Sequence, residues 1–185
     1  IDQKSPGLVI LSNTEIASLD DAHLILSGGK NIPLAEKESV IEYNSEGIIV
    51  INNRDTVKAE VKQSAQEINQ LVVPYGKNSF VTLADGTQVY LNAGSRLIYP
   101  SYFEGKVREV ILFGEAYFNV APMTDKPFIV QTSEINVEVL GTQFNLSTYA
   151  SDKTIETVLV EGKVKITENN RKLFKKGYVL NPNEL

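Results

Sequence analysis

From Leu71 onward the chain alternates apolar and polar residues with a period of two. Ile135-Asn136-Val137-Glu138-Val139 and Val160-Glu161-Gly162-Lys163-Val164-Lys165-Ile166 show it most clearly. Successive side chains of an extended backbone leave opposite faces, so these segments predict strands with one face buried and one wet. Val107 to Phe113 and Phe128 to Val130 are denser in apolar residues, which predicts strands covered on both faces. Val57, Val61, Ala65, Ile68 and Leu71 recur instead at near-helical spacing behind Asp55. A short connecting helix and an extended strand both accommodate them.

Turn residues punctuate the pattern at Asp85-Gly86, Asn92-Ala93-Gly94, Glu104-Gly105, Phe113-Gly114, Leu140-Gly141 and Lys176-Gly177. Glycine reaches left-handed backbone freely and Asp and Asn tolerate it, so each predicts a reversal or a bulge. Asn169-Asn170, between two basic strands, predicts a further hairpin. The expected fold class is all-β: a twisted, mainly antiparallel assembly of many short strands, solenoid-like or sandwich-like. Leu26 to Leu34 and Leu83 to Leu91 share the spacing L-x-x-G-x-x-[IV]-x-L, a strand, a glycine turn and a second strand. Gly114, Gly141 and Gly162 each precede an apolar pair (Phe118/Val120, Phe144/Leu146, Val164/Ile166), as rungs of an irregular solenoid would.

Length and composition narrow the class. A chain of 185 residues is long enough to bury about 70% of its unfolded surface. With 42% apolar and 22% charged residues it has ordinary globular usage. Its longest aliphatic run, Ile48 to Ile51, is far too short to span a bilayer as a helix. The chain begins at Ile1 and its single methionine is Met123, which predicts a piece of a longer polypeptide. Residues 1–71 carry 6 basic and 11 acidic side chains, whereas residues 72–185 carry 12 of each. The division predicts an acidic, β-rich N-terminal portion, a degenerate repeat packed on the main domain at 72–185.

Candidate chemistry is sparse. Cysteine is absent and His23 is the only histidine, so thiolate metal sites are excluded and an imidazole-ligated metal enzyme is disfavoured. Nothing in the sequence pairs Glu115 with the second carboxylate a glycosidase needs. Ser12, Ser27 and Ser101 lack a nucleophile elbow, and Gly28-Gly29-Lys30 lacks phosphate-loop spacing. Asp55-Thr56-Val57 fits a short bacterial O-glycosylation pattern that three residues match easily by chance. No catalytic, metal or cofactor residue is expected. Lys163, Lys165, Arg171, Lys172, Lys175 and Lys176 crowd one end against Glu168. Only Phe174 is near for stacking, which disfavours nucleic acid. A solvated face is the plain reading, and an interaction face at Lys172, Lys175 and Lys176 for an acidic partner is the sharper one.

Several motifs in sequence carry a resemblance. Val72-Val73-Pro74-Tyr75-Gly76-Lys77, Phe80 to Ser95 (with Asp85, Gly86, Leu91, Asn92 and Gly94), Leu112 to Val120 (with Gly114, Glu115, Ala116 and Phe118), Pro127 to Val130, Val139 to Leu146 (with Gly141, Thr142 and Phe144) and Leu159 to Val164 (with Gly162) resemble the FecR-type anti-sigma factors of Gram-negative bacteria. The likeness is clearest over residues 72–166. Read physically, these are structural positions. Asp85-Gly86 would supply the positive φ of a tight hairpin, and Asn92 would bond backbone in the turn closed by Gly94 and Ser95. Gly114 would permit a bulge or close packing, with Ala116, Phe118 and Val120 on one face.

The resemblance implies the periplasmic portion of an inner-membrane anti-sigma factor. Its expected partners are the signalling domain of an outer-membrane TonB-dependent transducer and an extracytoplasmic-function sigma factor. The sigma factor would be held by a cytoplasmic domain outside this chain, and the membrane met only through a transmembrane helix outside it. Family members usually carry a small docking lobe beyond this region, and the sequence ends near where that lobe would begin. The alternative is a periplasmic glycan-binding β module using Tyr90, Tyr99, Tyr102 and Phe103 as platforms. A cupin-like metal enzyme, the third class, is not expected with one histidine.

Overall fold

Arg108 to Asn119 form a strand of twelve residues that belongs to two sheets. The computed structural model describes residues 16, 19–43, 48–52, 55–58, 67–169 and 177–180. Among them the strands are β1 (Ala22–Ile25), β2 (Asn31–Leu34), β3 (Glu38–Tyr43), β4 (Ile48–Ile51), β5 (Asp55–Lys58), β6 (Ile68–Val73), β7 (Asn78–Thr82) and β8 (Gln88–Leu91). They continue as β9 (Ser95–Pro100), β10 (Arg108–Asn119), β11 (Phe128–Gln131), β12 (Ile135–Val139), β13 (Gln143–Thr148), β14 (Glu156–Glu161), β15 (Val164–Glu168) and β16 (Gly177–Leu180).

The N-terminal half of β10 pairs with β9 and β11, in a sheet ordered β2-β1-β6-β9-β10-β11-β12-β15-β16. Its C-terminal half pairs with β8 and β13, in a sheet ordered β5-β4-β3-β7-β8-β10-β13-β14. Two pairings, β10 with β11 and β3 with β7, are parallel; the others are antiparallel. The fold is therefore all-β and mainly antiparallel, and the sandwich-like expectation describes it. Phe118 and Phe144 fall in the second sheet and Val164 in the first, so the three glycine motifs do not stack as rungs.

Alternation places one continuous core between the sheets. In β10 the even positions from Arg108 to Phe118 are buried while Glu109 is exposed and the other odd positions are half-buried. Phe118 reaches across to Phe128 of the first sheet at 6.2 Å between ring centres and stacks on Phe144 of its own sheet at 5.1 Å. Full burial of such a side chain stabilises by about 1.5–3 kcal/mol. Ala22, Leu24, Leu34, Ile41 and Ile49 join this same core, so the N-terminal strands extend both sheets rather than standing apart.

Two expectations change. Phe113-Gly114 is not a reversal: β10 runs through it, because Gly114, at φ 91°, turns the strand from one sheet into the other. Residues 107–113 and 128–130 are not covered equally on both faces but alternate like their neighbours. Ile68 and Leu71 lie in β6 and Val57 in β5, all extended, while Val61 and Ala65 of the suggested helical stripe fall outside the described residues. The similar segments Leu26 to Leu34 and Leu83 to Leu91 form matching hairpins. Leu26 N donates to Lys30 O at 2.9 Å and Leu83 N to Thr87 O at 2.8 Å, each closing a three-residue loop.

Candidate functional site

The polar motif residues converge where β10 changes sheets. Ser95 sits so close to Gly114 that a Cβ there would lie 2.5 Å from Ser95 Oγ. Ser95 Oγ accepts the Glu115 amide at 2.9 Å, and Thr148 Oγ1 donates to Gly114 O at 2.9 Å. Tyr149 donates its hydroxyl to Ala93 O at 2.7 Å, and burial raises this phenol above its ordinary value. Glu115 receives Asn92 Nδ2 at 3.1 Å on one carboxylate oxygen and Asn145 Nδ2 at 2.9 Å on the other. Asn92 Oδ1 accepts the Ala93 amide at 2.8 Å, the backbone bond expected of it.

The hairpin at Asp85-Gly86 works differently from the expectation. Gly86 alone takes positive φ, 84°, while Asp85 acts through its carboxylate. It accepts the Thr87 amide at 3.0 Å, the Thr87 hydroxyl at 2.7 Å and Arg108 Nη1 at 2.7 Å. Arg108 is fully buried, donates also to Lys126 O and Ala121 O at 2.9 Å each, and lies over the Phe128 ring. Leu91, Ala116, Phe118, Val120 and Phe144 are core. Gly94, Gly141 and Gly162 lie against Tyr75, Pro122 and Thr142, and Thr142 Oγ1 donates to Lys163 O at 3.0 Å.

One end of this node opens onto a groove of about 630 Å³ on the outer face of the second sheet. Strand register orders that face in rows running across the strands. Val40, Phe80, Tyr90 and Tyr117 are successive neighbours on β3, β7, β8 and β10. The Phe80 and Tyr90 rings stand 4.5 Å apart, those of Tyr90 and Tyr117 6.0 Å, and Tyr90 is 50% exposed. On one flank Glu38, Asn78, Asn92, Glu115 and Ser147 form a polar row; on the other, Glu42, Thr82, Gln88, Asn119 and Gln143 form a second. Asn119 Nδ2 donates to Gln88 Oε1 at 3.1 Å and Tyr117 to Gln143 Oε1 at 3.0 Å.

Of the four aromatics considered for sugar, only Tyr90 belongs to this row. Tyr99 is buried at 1% exposure, its hydroxyl 2.9 Å from that of Tyr43. Every position of β9 is buried, so neither face of that strand offers a platform. Tyr102 donates to Glu104 and is held by that hydrogen bond above the ordinary phenol value, while Phe103 packs on Phe128. The sequence does not mark Phe80 and Tyr117 as companions of Tyr90, because only the register brings the three together.

His23 Nδ1 bonds Asn31 Oδ1 at 2.8 Å on a half-buried strand position. Lys165 pairs with Glu138 at 2.8 Å and Lys163 is exposed, while Arg171, Lys172, Lys175 and Lys176 lie outside the described residues, as do Ser12 and Asn170. Among the described residues no three His, Cys, Asp or Glu side chains gather as a metal set, and no helix is long and apolar enough to cross a membrane.

Comparison with known proteins agrees with this frame. No curated protein matches the chain. Two crystal structures of a candidate anti-sigma factor from Parabacteroides distasonis ATCC 8503 are similar to it. One superposes with a TM-score of 0.58 at 38% identity over 62% of this chain, the other with 0.59 at 38% over 63%. The matched part spans about half of those chains, 51% and 52%. Residues 69–165, more than half of the sequence, match the FecR protein family, and the motif residues that build the Gly114 node and the Asp85–Arg108 pair lie inside that span. The chain belongs to the FecR family.

Proposed function

We propose that this chain is the periplasmic interaction domain of a membrane-anchored anti-sigma factor, relaying a signal from a TonB-dependent outer-membrane transducer to an extracytoplasmic-function sigma factor. The observation that carries the reading is the use made of the polar motif residues. Asp85, Asn92, Ser95 and Glu115 direct their hydrogen bonds into the frame itself. Such a frame holds surfaces in fixed relation, as a contact relay requires, and the reading assigns it no bond-making step. Family membership and the likeness to the candidate anti-sigma factor support the regulatory role.

The partner contact would use the signalling domain of the transducer, and the sigma factor would be gripped by a part of the protein outside this chain. Lys172, Lys175 and Lys176 are the proposed electrostatic face for an acidic surface of the partner. The test is sigma-dependent reporter transcription in cells whose parent protein has these 185 residues deleted. The expected result is loss of the inducer response with the protein still in the membrane. An unchanged response overturns the reading. Changing the three lysines to Glu should weaken transducer binding and flatten its salt dependence.

A further inference from the structure

The striped outer face of the second sheet has a chemistry that the relay role does not use. An apolar row one side chain wide runs across β3, β7, β8 and β10 through Val40, Phe80, Tyr90 and Tyr117. With strands about 4.8 Å apart the row is about 14 Å long, enough for two or three linked pyranose rings. Residues two apart on a strand lie about 7 Å apart, so side chains of each polar row can reach toward the rim hydroxyls of a ring lying on the apolar row.

That geometry selects its ligand. A pyranose offers C–H groups on its faces, which pack on aromatic rings, and hydroxyls around its rim, which need donors and acceptors together. Carboxamides supply both, and Asn78, Gln88, Asn119 and Gln143 line the flanks. A protein partner would need a broad apolar centre, and this row is too narrow to be one. A docking strand would need free backbone groups, whereas β7, β8 and β10 are paired on both sides. The rows contain Glu38, Glu42 and Glu115 and no Lys or Arg, so uronates, sulfated sugars and phosphates are repelled.

We infer that this face is a binding site for a neutral oligosaccharide lying across the strands, its rings on Phe80, Tyr90 and Tyr117 and its hydroxyls on the flanking carboxamides. The groove along the apolar row and its Asn78 flank, of about 630 Å³, lies within the ordinary range for small-ligand sites, and the Gln88 flank borders it on the open side.

The test is titration of the full chain with maltotriose, cellotriose, xylotriose and chitotriose, and with trigalacturonate as the anionic control, followed by backbone amide shifts. At least one neutral trisaccharide should bind with a dissociation constant at or below about 1 mM, with shifts confined to β3, β7, β8, β10, β13 and the turns that join them. Tyr90→Leu, which keeps apolar contact with Phe80 and removes the ring face, should weaken binding at least about tenfold while the unfolding midpoint stays put. Tyr90→Trp should retain it. Absence of shifts with every neutral trisaccharide at about 20 mM, equal binding of trigalacturonate, or full affinity in Tyr90→Leu each overturns the inference. The readout is sugar binding to purified chain, so it stands or falls separately from the reporter response.

Discussion

Arg108 and Asp85 meet at 2.7 Å with side-chain exposures of 0% and 5%, tying the β7–β8 hairpin to the start of β10. A buried pair gains little over an apolar pair of the same shape, but removing one member strands the other charge. Asp85→Ala and Arg108→Met should each cost about 3–5 kcal/mol. The double variant should cost less than their sum by about 1–3 kcal/mol. Urea unfolding of the three variants measures this, and simple additivity would show that the pair is not coupled.

Gly114 and Gly86 share positive φ, at 91° and 84°, but not their surroundings. A Cβ at Gly86 meets nothing within 4 Å, whereas at Gly114 it would stand 2.8 Å from Ser95 Cα, backbone that cannot rotate away. Gly86→Ala should therefore cost about 1 kcal/mol from backbone strain alone. Gly114→Ala adds overpacking of about 1–3 kcal/mol to that strain. Equal unfolding midpoints for the two variants would refute the close approach of β9 and β10.

What the sequence made legible follows from the range of each interaction. Alternation at Ile135 to Val139 and Phe144 to Leu146 is local, and it identified strands and their buried faces. The hairpin at Leu83 to Leu91 was legible because glycine and aspartate set turn geometry within a few residues. Gly114 misled because a positive-φ glycine inside a strand looks, locally, like one that ends it; only the partners β8, β9, β11 and β13 distinguish the cases. Arg108 in the core contradicts the usual exposure of charge, since its compensation by Asp85 comes from 23 residues away. The aromatic row was illegible for a similar reason. Phe80, Tyr90 and Tyr117 become neighbours through register, and Tyr99 is removed from the surface because β9 is covered on both faces.

Tyr43 and Tyr99 make an alkaline-sensitive contact. Their hydroxyls lie 2.9 Å apart, Asn69 Nδ2 donates to Tyr43 at 3.1 Å, and burial pushes both phenols well above the ordinary value of 10.0. A raised folded-state value means the unfolded chain loses these protons first. The stabilising contribution is thus complete below pH 10.0 and is lost as pH rises past it. Tyr99→Phe removes one such group, so its stability deficit relative to the unsubstituted chain should shrink between about pH 8 and 11. Urea midpoints across that range give the comparison, and a deficit that stays constant or grows contradicts the assigned burial.

Among the described residues β14 pairs only with β13, leaving Val158 and Val160 57% and 56% exposed on a sheet edge. Free edges of this kind template pairing with another strand. Two copies of β14 pairing antiparallel about Val158 would bring Glu156 of each opposite Glu161 of the other, because the bulge at Val160 leaves both glutamates on the outer face with Val158. Like charges directly opposed destabilise such a pair, so Glu156 and Glu161 guard the edge against self-association. Glu156→Lys converts both repulsions into attractions and should raise the dimer fraction at about 0.1 M salt. Because that attraction is screened, about 1 M salt should reverse the gain in the variant and relieve repulsion in the unsubstituted chain. Val158→Lys should leave unfolding stability within about 0.5 kcal/mol and keep the chain monomeric in both conditions. Sedimentation velocity reads all three, and a Glu156→Lys chain no more dimeric than its parent at low salt would remove β14 as the edge that these glutamates protect.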